Sequence, residues 1–160
     1  MGGIGFLTAL VLVASSAVMP EANTKYDTEA PIEVQEACIK WGEYYDICPE
    51  LLQTICWHES RYETDLVNGT CVGIMQINEP VHTARIEKLG VTDIYDLNQN
   101  IEVGADLLAE LFAKYPDAGT VLGLYHGEKN AVKKGKTGDY SAYTKTILEK
   151  SYELERVHGK

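Results

Sequence analysis

The stretch from Cys48 to Asn78 constrains this chain most, because it opens as a helix whose apolar stripe ends on an acid. Pro49 stands at a first helical position, where its missing N–H costs nothing. Leu51, Leu52, Ile55 and Cys56 recur at the three-and-four spacing that builds one apolar face. One further step along that face reaches Glu59. Burying an unpaired charge is costly, so an apolar setting favours the protonated form of a carboxylic acid. An acid that keeps its proton near neutrality can act as a general acid. Glu59 is therefore the first catalytic candidate, set against the plainer reading of a solvated carboxylate at a helix end. His58-Glu59 also looks like the start of a zinc-protease motif, but that motif needs a second His one turn on, and Tyr62 stands there.

Charge narrows the partners. A chain of 160 residues with a net charge of -10 lacks the basic surface that nucleic acid binding needs. The same balance argues against electrostatic capture by anionic lipid or by polyanionic wall polymers. Four positive residues do gather late, at Lys129, Lys133, Lys134 and Lys136. A solvated loop is the default for such a run, and a local ligand contact is the alternative.

Residues 4–19 form an apolar run shorter than the ~20 residues of a comfortable membrane span. Small residues and then a polar, Pro-containing stretch follow, so residues 1–22 read as a secretory signal peptide cut near Ala17 or Ala22. The first five residues hold no Lys or Arg, which leaves an uncleaved N-terminal anchor or a misplaced start as alternatives. Residues 23–31 read as a polar leader, and residues 32–158 as the catalytic domain. Export to the cell envelope or beyond suits the four cysteines, at positions 38, 48, 56 and 71, none of which forms a C-x-x-C pair. If helices over 32–45 and 49–59 run antiparallel about Ile47, Cys38 and Cys56 are equidistant from the turn and face each other. Cys48 is then left for Cys71. Four unpaired buried thiols are the other reading.

Taken in order, Pro31 begins a helix with Val34, Cys38, Trp41 and Tyr45 on one face. After the Glu59 helix, Arg61–Thr70 is a polar loop with a turn at Asn68-Gly69, and Val67–Val72 is a candidate small hairpin. Gly73–Ile77 is a brief apolar piece stopped by Pro80. Thr83–Leu89 reads as a helix that Gly90 ends. Asn98 or Asn100 is placed to cap the next helix, Ile101–Tyr115, which carries Gly104 within its apolar face. Val121–Tyr125 is a short buried helix closed by His126-Gly127. A loop rich in Gly and Lys leads to a last helix with Tyr140, Tyr143, Ile147 and Leu154 inward. The expectation is a mainly α domain with at most a small β-hairpin.

Five separated blocks then fall in one order: Glu59-Ser60; G-I-M-Q-I-N over 73–78; N-I-E-V-G over 100–104; L-Y-H-G over 124–127; and Y-T-K-T-I-L over 143–148. Together, from about Cys48 to Leu148, they resemble the soluble lytic transglycosylase domain, a helical relative of goose-type lysozyme. The resemblance implies a monomeric enzyme that cleaves the glycan strands of peptidoglycan between N-acetylmuramic acid and N-acetylglucosamine, with no metal or cofactor. It makes Glu59 the sole catalytic acid and base. The sugar's acetamido group assists and its 6-hydroxyl closes a 1,6-anhydro ring, one of the departures from the two-carboxylate rule. Ser60, Met75, Gln76, Tyr125 and Tyr143 match family positions at the sugar cleft. His126 stands where the family has Asn, and Asn68 or Thr70 would replace the serines that the family places in the preceding loop. Glu63 and Asp65 are candidates for a second acid; one of them positioning a water would turn the reaction into hydrolysis by a muramidase. A non-catalytic glycan-binding protein of a secretion apparatus is the reading from another class.

Overall fold

A computed structural model describes residues 30–160. The expected export segment at 1–22 and most of the leader at 23–31 lie outside the described residues. The described part is mainly helical, as the sequence predicts. It contains α1 (Ile32–Tyr45), α2 (Pro49–Ser60), α3 (Glu79–Leu89), α4 (Leu97–Lys114), α5 (Ala118–Tyr125), α6 (Ala131–Thr137) and α7 (Ala142–Val157), with strands β1 (Val67–Asn68), β2 (Cys71–Val72) and β3 (Ile77–Asn78).

α2 is the central rod, packed between α1 and α7, while α4 backs onto α1 and α5 bridges α4 to α7. Its stripe is buried as expected: Leu52, Ile55 and Cys56 are sealed against Ile101, Leu108, Leu122 and Ile147 from the surrounding helices. The expected hairpin is present, with Val67 opposite Val72, and it gains a third antiparallel strand through the pairing of Val72 with Ile77. This small sheet sits directly after the end of α2.

Three local expectations are corrected. Pro80 opens α3 instead of stopping the preceding piece, because it falls in the first turn where no intrahelical N–H bond is lost. Asp96, not Asn98 or Asn100, caps α4, its carboxylate accepting from the Gln99 N–H at 2.9 Å. The lysine run is not a loop: it forms α6, whose Ala131 is buried against Gly123 of α5. Gly135 permits that docking, since a Cβ there would lie 1.8 Å from the Thr120 hydroxyl.

The cysteine pairing is also corrected, for all four are free thiols. Cys38 and Cys56 do face each other across α1 and α2, buried and in contact but without a disulfide. Cys48 and Cys71 cannot meet. Cys48 caps the start of α2, and Cys71 lies at its other end in the field of Glu59. The 12 residues of α2, about 18 Å of helix, lie between the two regions, against a ~7 Å limit between bridged Cα atoms. Cys48 instead donates to Glu50 at 3.0 Å, and burial followed by that bond pushes its thiol up to about 12.

Candidate active site

Glu59 occupies the last turn of α2, half-buried. The helix stops abruptly behind it, because Arg61 and Tyr62 both take left-handed backbone angles (φ 57° and 69°). Such angles are costly for residues with a Cβ, and they hold the helix end at a fixed orientation. Arg61 closes the turn by donating its N–H to the Trp57 carbonyl at 2.9 Å and laying its guanidinium 3.5 Å from the centre of the Trp57 ring.

The Tyr143 hydroxyl, from the first turn of α7, donates to Glu59 Oε1 at 2.7 Å. Burial, and after it the charge of Glu59, pushes the Tyr143 phenol far above its ordinary value, so it remains a donor. Two imidazoles fix its ring. His126 stacks on one face at 3.9 Å with an interplanar angle of 11°, and His58 meets it edge-on at 5.0 Å and 86°. Burial also pulls His58 below the usual imidazole range, against the pull of Glu59.

The opposite wall is the turn from Gly73 to Gln76. Asn100, fully buried inside α4, holds it. Its Oδ1 accepts from the Met75 N–H at 2.9 Å, and its Nδ2 donates to Val72 O at 3.1 Å and Ile94 O at 2.8 Å. Gly73 has to be glycine here, for it sits at φ 76° and a Cβ would come within 2.2 Å of Asn100 Nδ2. Gln76 follows at φ 51°, another left-handed residue, with its amide donating to Gly73 O at 2.9 Å and Leu66 O at 3.1 Å. Tyr125, at the end of α5, reaches across to donate to Met75 O at 2.8 Å. Burial, then the Glu59 charge, raises its phenol well above the usual value too.

The sequence candidates thus divide. Glu59, Tyr143, His126, Tyr125 and Gln76 converge, and the last three line one cavity of about 440 Å³ together with Cys71, Asn78 and His82. Met75 reaches this site only through its backbone, its side chain being sealed in the core against Gly104. Ser60 is 3% exposed, and its hydroxyl lies 2.8 Å from Ile74 O and 3.0 Å from Cys56 O, so it ties the helix end to the turn. Asn68 is exposed on β1, outside the residues that line the cavity, and Thr70, Glu63 and Asp65 are exposed as well. Sequence reasoning missed His58 and Cys71. His58 carries a signal in its place directly before the acid, whereas nothing local to Cys71 marks it as a wall residue. Burial and the nearby Glu59 raise the Cys71 thiol, which leaves it a neutral wall group.

This arrangement holds a carboxyl group against a neutral phenol donor, near a cleft lined mainly by amides, rings and apolar groups. A family profile described as "Transglycosylase SLT domain" matches residues 36–148. A protein of Enterobacteria phage PRD1 named "Transglycosylase" is 37% identical over 98 residues, a match that covers 60% of this chain and 36% of that protein. The chain therefore aligns with just over a third of the relative's length.

Proposed function

The chain belongs to the transglycosylase SLT domain family, and on that footing we propose that it is a peptidoglycan lytic transglycosylase acting outside the cytoplasm. The observation that carries this reading is the 2.7 Å bond from Tyr143 to Glu59, beside the cavity that Gln76, Tyr125 and His126 line. Glu59 donates its proton to the bridging oxygen as the bond between muramic acid and the next sugar breaks. The acetamido group of the muramyl residue stabilises the positive charge at the anomeric carbon. Glu59, now ionised, takes the proton of the 6-hydroxyl as that oxygen attacks the same carbon. A 1,6-anhydro ring closes and no water is consumed.

Tyr143 serves this cycle because a neutral phenol supports Glu59 in both protonation states, accepting from the acid form and donating to the carboxylate. Tyr125 and Gln76 shape the wall, with Asn100 as their support. The exposed positions of Glu63 and Asp65, on the loop beyond α2, favour this route over hydrolysis, which uses a second carboxylate to direct water. The name of the phage relative points the same way.

The test is mass spectrometry of soluble fragments from purified peptidoglycan treated with the native chain and with Glu59→Gln. Anhydro-muramyl ends from the native chain, absent with the variant, are expected. Reducing ends, one water heavier, would replace this reading with a muramidase, and no release by the native chain would leave only a glycan-binding role.

A further inference from the structure

A second cavity of about 440 Å³ opens on the other side of His126, and Tyr143 forms part of its wall. It lies one phenol ring away from Glu59, yet its chemistry differs from that of the first. In a chain of net charge -10, the segment from Glu128 to Lys145 carries five lysines against two carboxylates. Within the cavity, Glu128 is already committed. It pairs with Lys134 at 2.7 Å and accepts from the Ser141 hydroxyl. Those bonds hold Glu128 below the usual carboxylate range, with Lys134 the larger cause. Lys129 is left over: it is exposed at the cavity, and among the described residues no carboxylate lies within ion-pair distance of it. Asn130 beside it makes no side-chain capping bond, so its amide is available too.

A shallow, open site with one uncompensated ammonium, a free amide and an aromatic wall suits a carboxylate attached to something larger. Resting on the proposed glycan substrate, we infer that this cavity receives a carboxylate carried on the lactyl arm of the muramyl residue, with Lys129 as its counter-charge. The carboxylate has two sources. On bare strands it is that of the lactyl group itself; on substituted strands it belongs to the attached peptide. Either way, the pocket makes the protein discriminate muramyl strands from polymers of N-acetylglucosamine alone. The acidity of the rest of the chain sharpens this preference, since it leaves the lysine segment as the favourable approach for an anion.

The test compares Glu59→Gln, which binds without turnover, with the same protein carrying Lys129→Ala or Lys129→Glu. Three probes are titrated: oligomers of N-acetylglucosamine, strands stripped of peptide, and peptide-bearing strands. Lys129→Ala is expected to weaken the carboxylate-bearing probes about threefold to tenfold, and Lys129→Glu more, with the gap shrinking as salt is raised. Affinity for the N-acetylglucosamine oligomers should not move. A loss already present on stripped strands assigns the lactyl carboxylate; a loss confined to peptide-bearing strands assigns the peptide. Initial rates of the chain with native Glu59, with and without Lys129→Ala, should give the same order. An equal loss on all three probes, or none on any, overturns the inference while native wall cleavage still supports the enzyme reading. If the native chain neither binds nor cleaves any strand, both fall together.

Discussion

Replacing Asn100 by Ala tests the claim that one buried amide holds the cleft wall in place. Three backbone groups lose their partner at once: the Met75 N–H and the carbonyls of Val72 and Ile94. A buried polar group stranded in this way costs about 1–3 kcal/mol. Met75 and Val72 are fully enclosed, and Ile94 lies nearer the surface, where water can replace part of its bond. The sum is about 3–5 kcal/mol, a large share of the roughly 5–15 kcal/mol that holds a domain together. Urea unfolding followed by far-UV circular dichroism measures it, as a lower midpoint at constant slope. Asn100→Asp provides an internal check. It keeps the acceptor for Met75 but turns a charged oxygen toward two carbonyls, which favours the protonated acid in the folded state. A group held protonated in this way contributes stability at low pH and loses it as pH rises. The deficit of Asn100→Asp relative to the native chain should therefore be smaller at pH 4 than at pH 7. A loss below about 1 kcal/mol for Asn100→Ala, or a pH trend of opposite sign for Asn100→Asp, would refute the reasoning.

Tyr143→Phe removes one hydrogen bond to a group that is charged for part of the cycle, a change of about 1.5–3 kcal/mol. Turnover of peptidoglycan should fall roughly tenfold to a hundredfold with little change in strand affinity, read from initial rates and binding isotherms. Gly104→Ala would place a Cβ 2.4 Å from Met75 Sδ; overpacking of about 1–3 kcal/mol is expected in thermal unfolding, together with a loss of rate, because Met75 bears the carbonyl that receives Tyr125. The acid limb of stability should depend on Glu50. It is 2% exposed, and hydrogen bonds from Lys160, Cys48 and His158 outweigh burial to lower its carboxyl from 4.5 to about 2. Its contribution, at most about 3 kcal/mol, is complete above the unfolded value and is lost as pH falls from about 4.5 toward 2. Glu50→Gln should flatten that limb of the urea midpoint against pH.

The fold was legible wherever a periodic apolar face met a terminating residue. α2 was readable because Pro49 opens a long apolar stripe, and it buries the predicted face; α3 stops at Gly90, as predicted. Less legible was anything decided across the chain. Asn100 occupies a position where a helix cap is the local expectation, and only the arrival of Val72, Met75 and Ile94 around it makes it a three-way tie. α6 reads as a lysine loop because its seven residues carry no amphipathic repeat; its order comes from the fit of Gly135 and Ala131 onto α5. Cys48 and Cys71 failed as a pair for a related reason. Proximity to the two ends of one helix is proximity in sequence terms, while the helix itself keeps those ends apart.

The position of the acid follows from the same tertiary ties. α2 delivers Glu59, α7 delivers Tyr143 and α5 delivers Tyr125, and no two of these helices are consecutive in the chain. Tyr143 is tied to Glu59 directly, and the turn from Gly73 to Gln76 ties the rest: Ser60 bonds to its Ile74 carbonyl, Tyr125 to its Met75 carbonyl, and Asn100 to its Met75 N–H. The turn carries no ionisable group, yet a shift in it displaces the end of α2 and the end of α5 together. Substitutions at Gly73 or Gly104 should therefore resemble substitutions of Tyr143 in turnover, while differing from them in unfolding midpoint. Gly73→Ala is the sharper case, since it combines a strained φ of 76° with a Cβ 2.2 Å from Asn100 Nδ2. A Gly73→Ala chain with native stability and native turnover would mean that the turn does not position the acid.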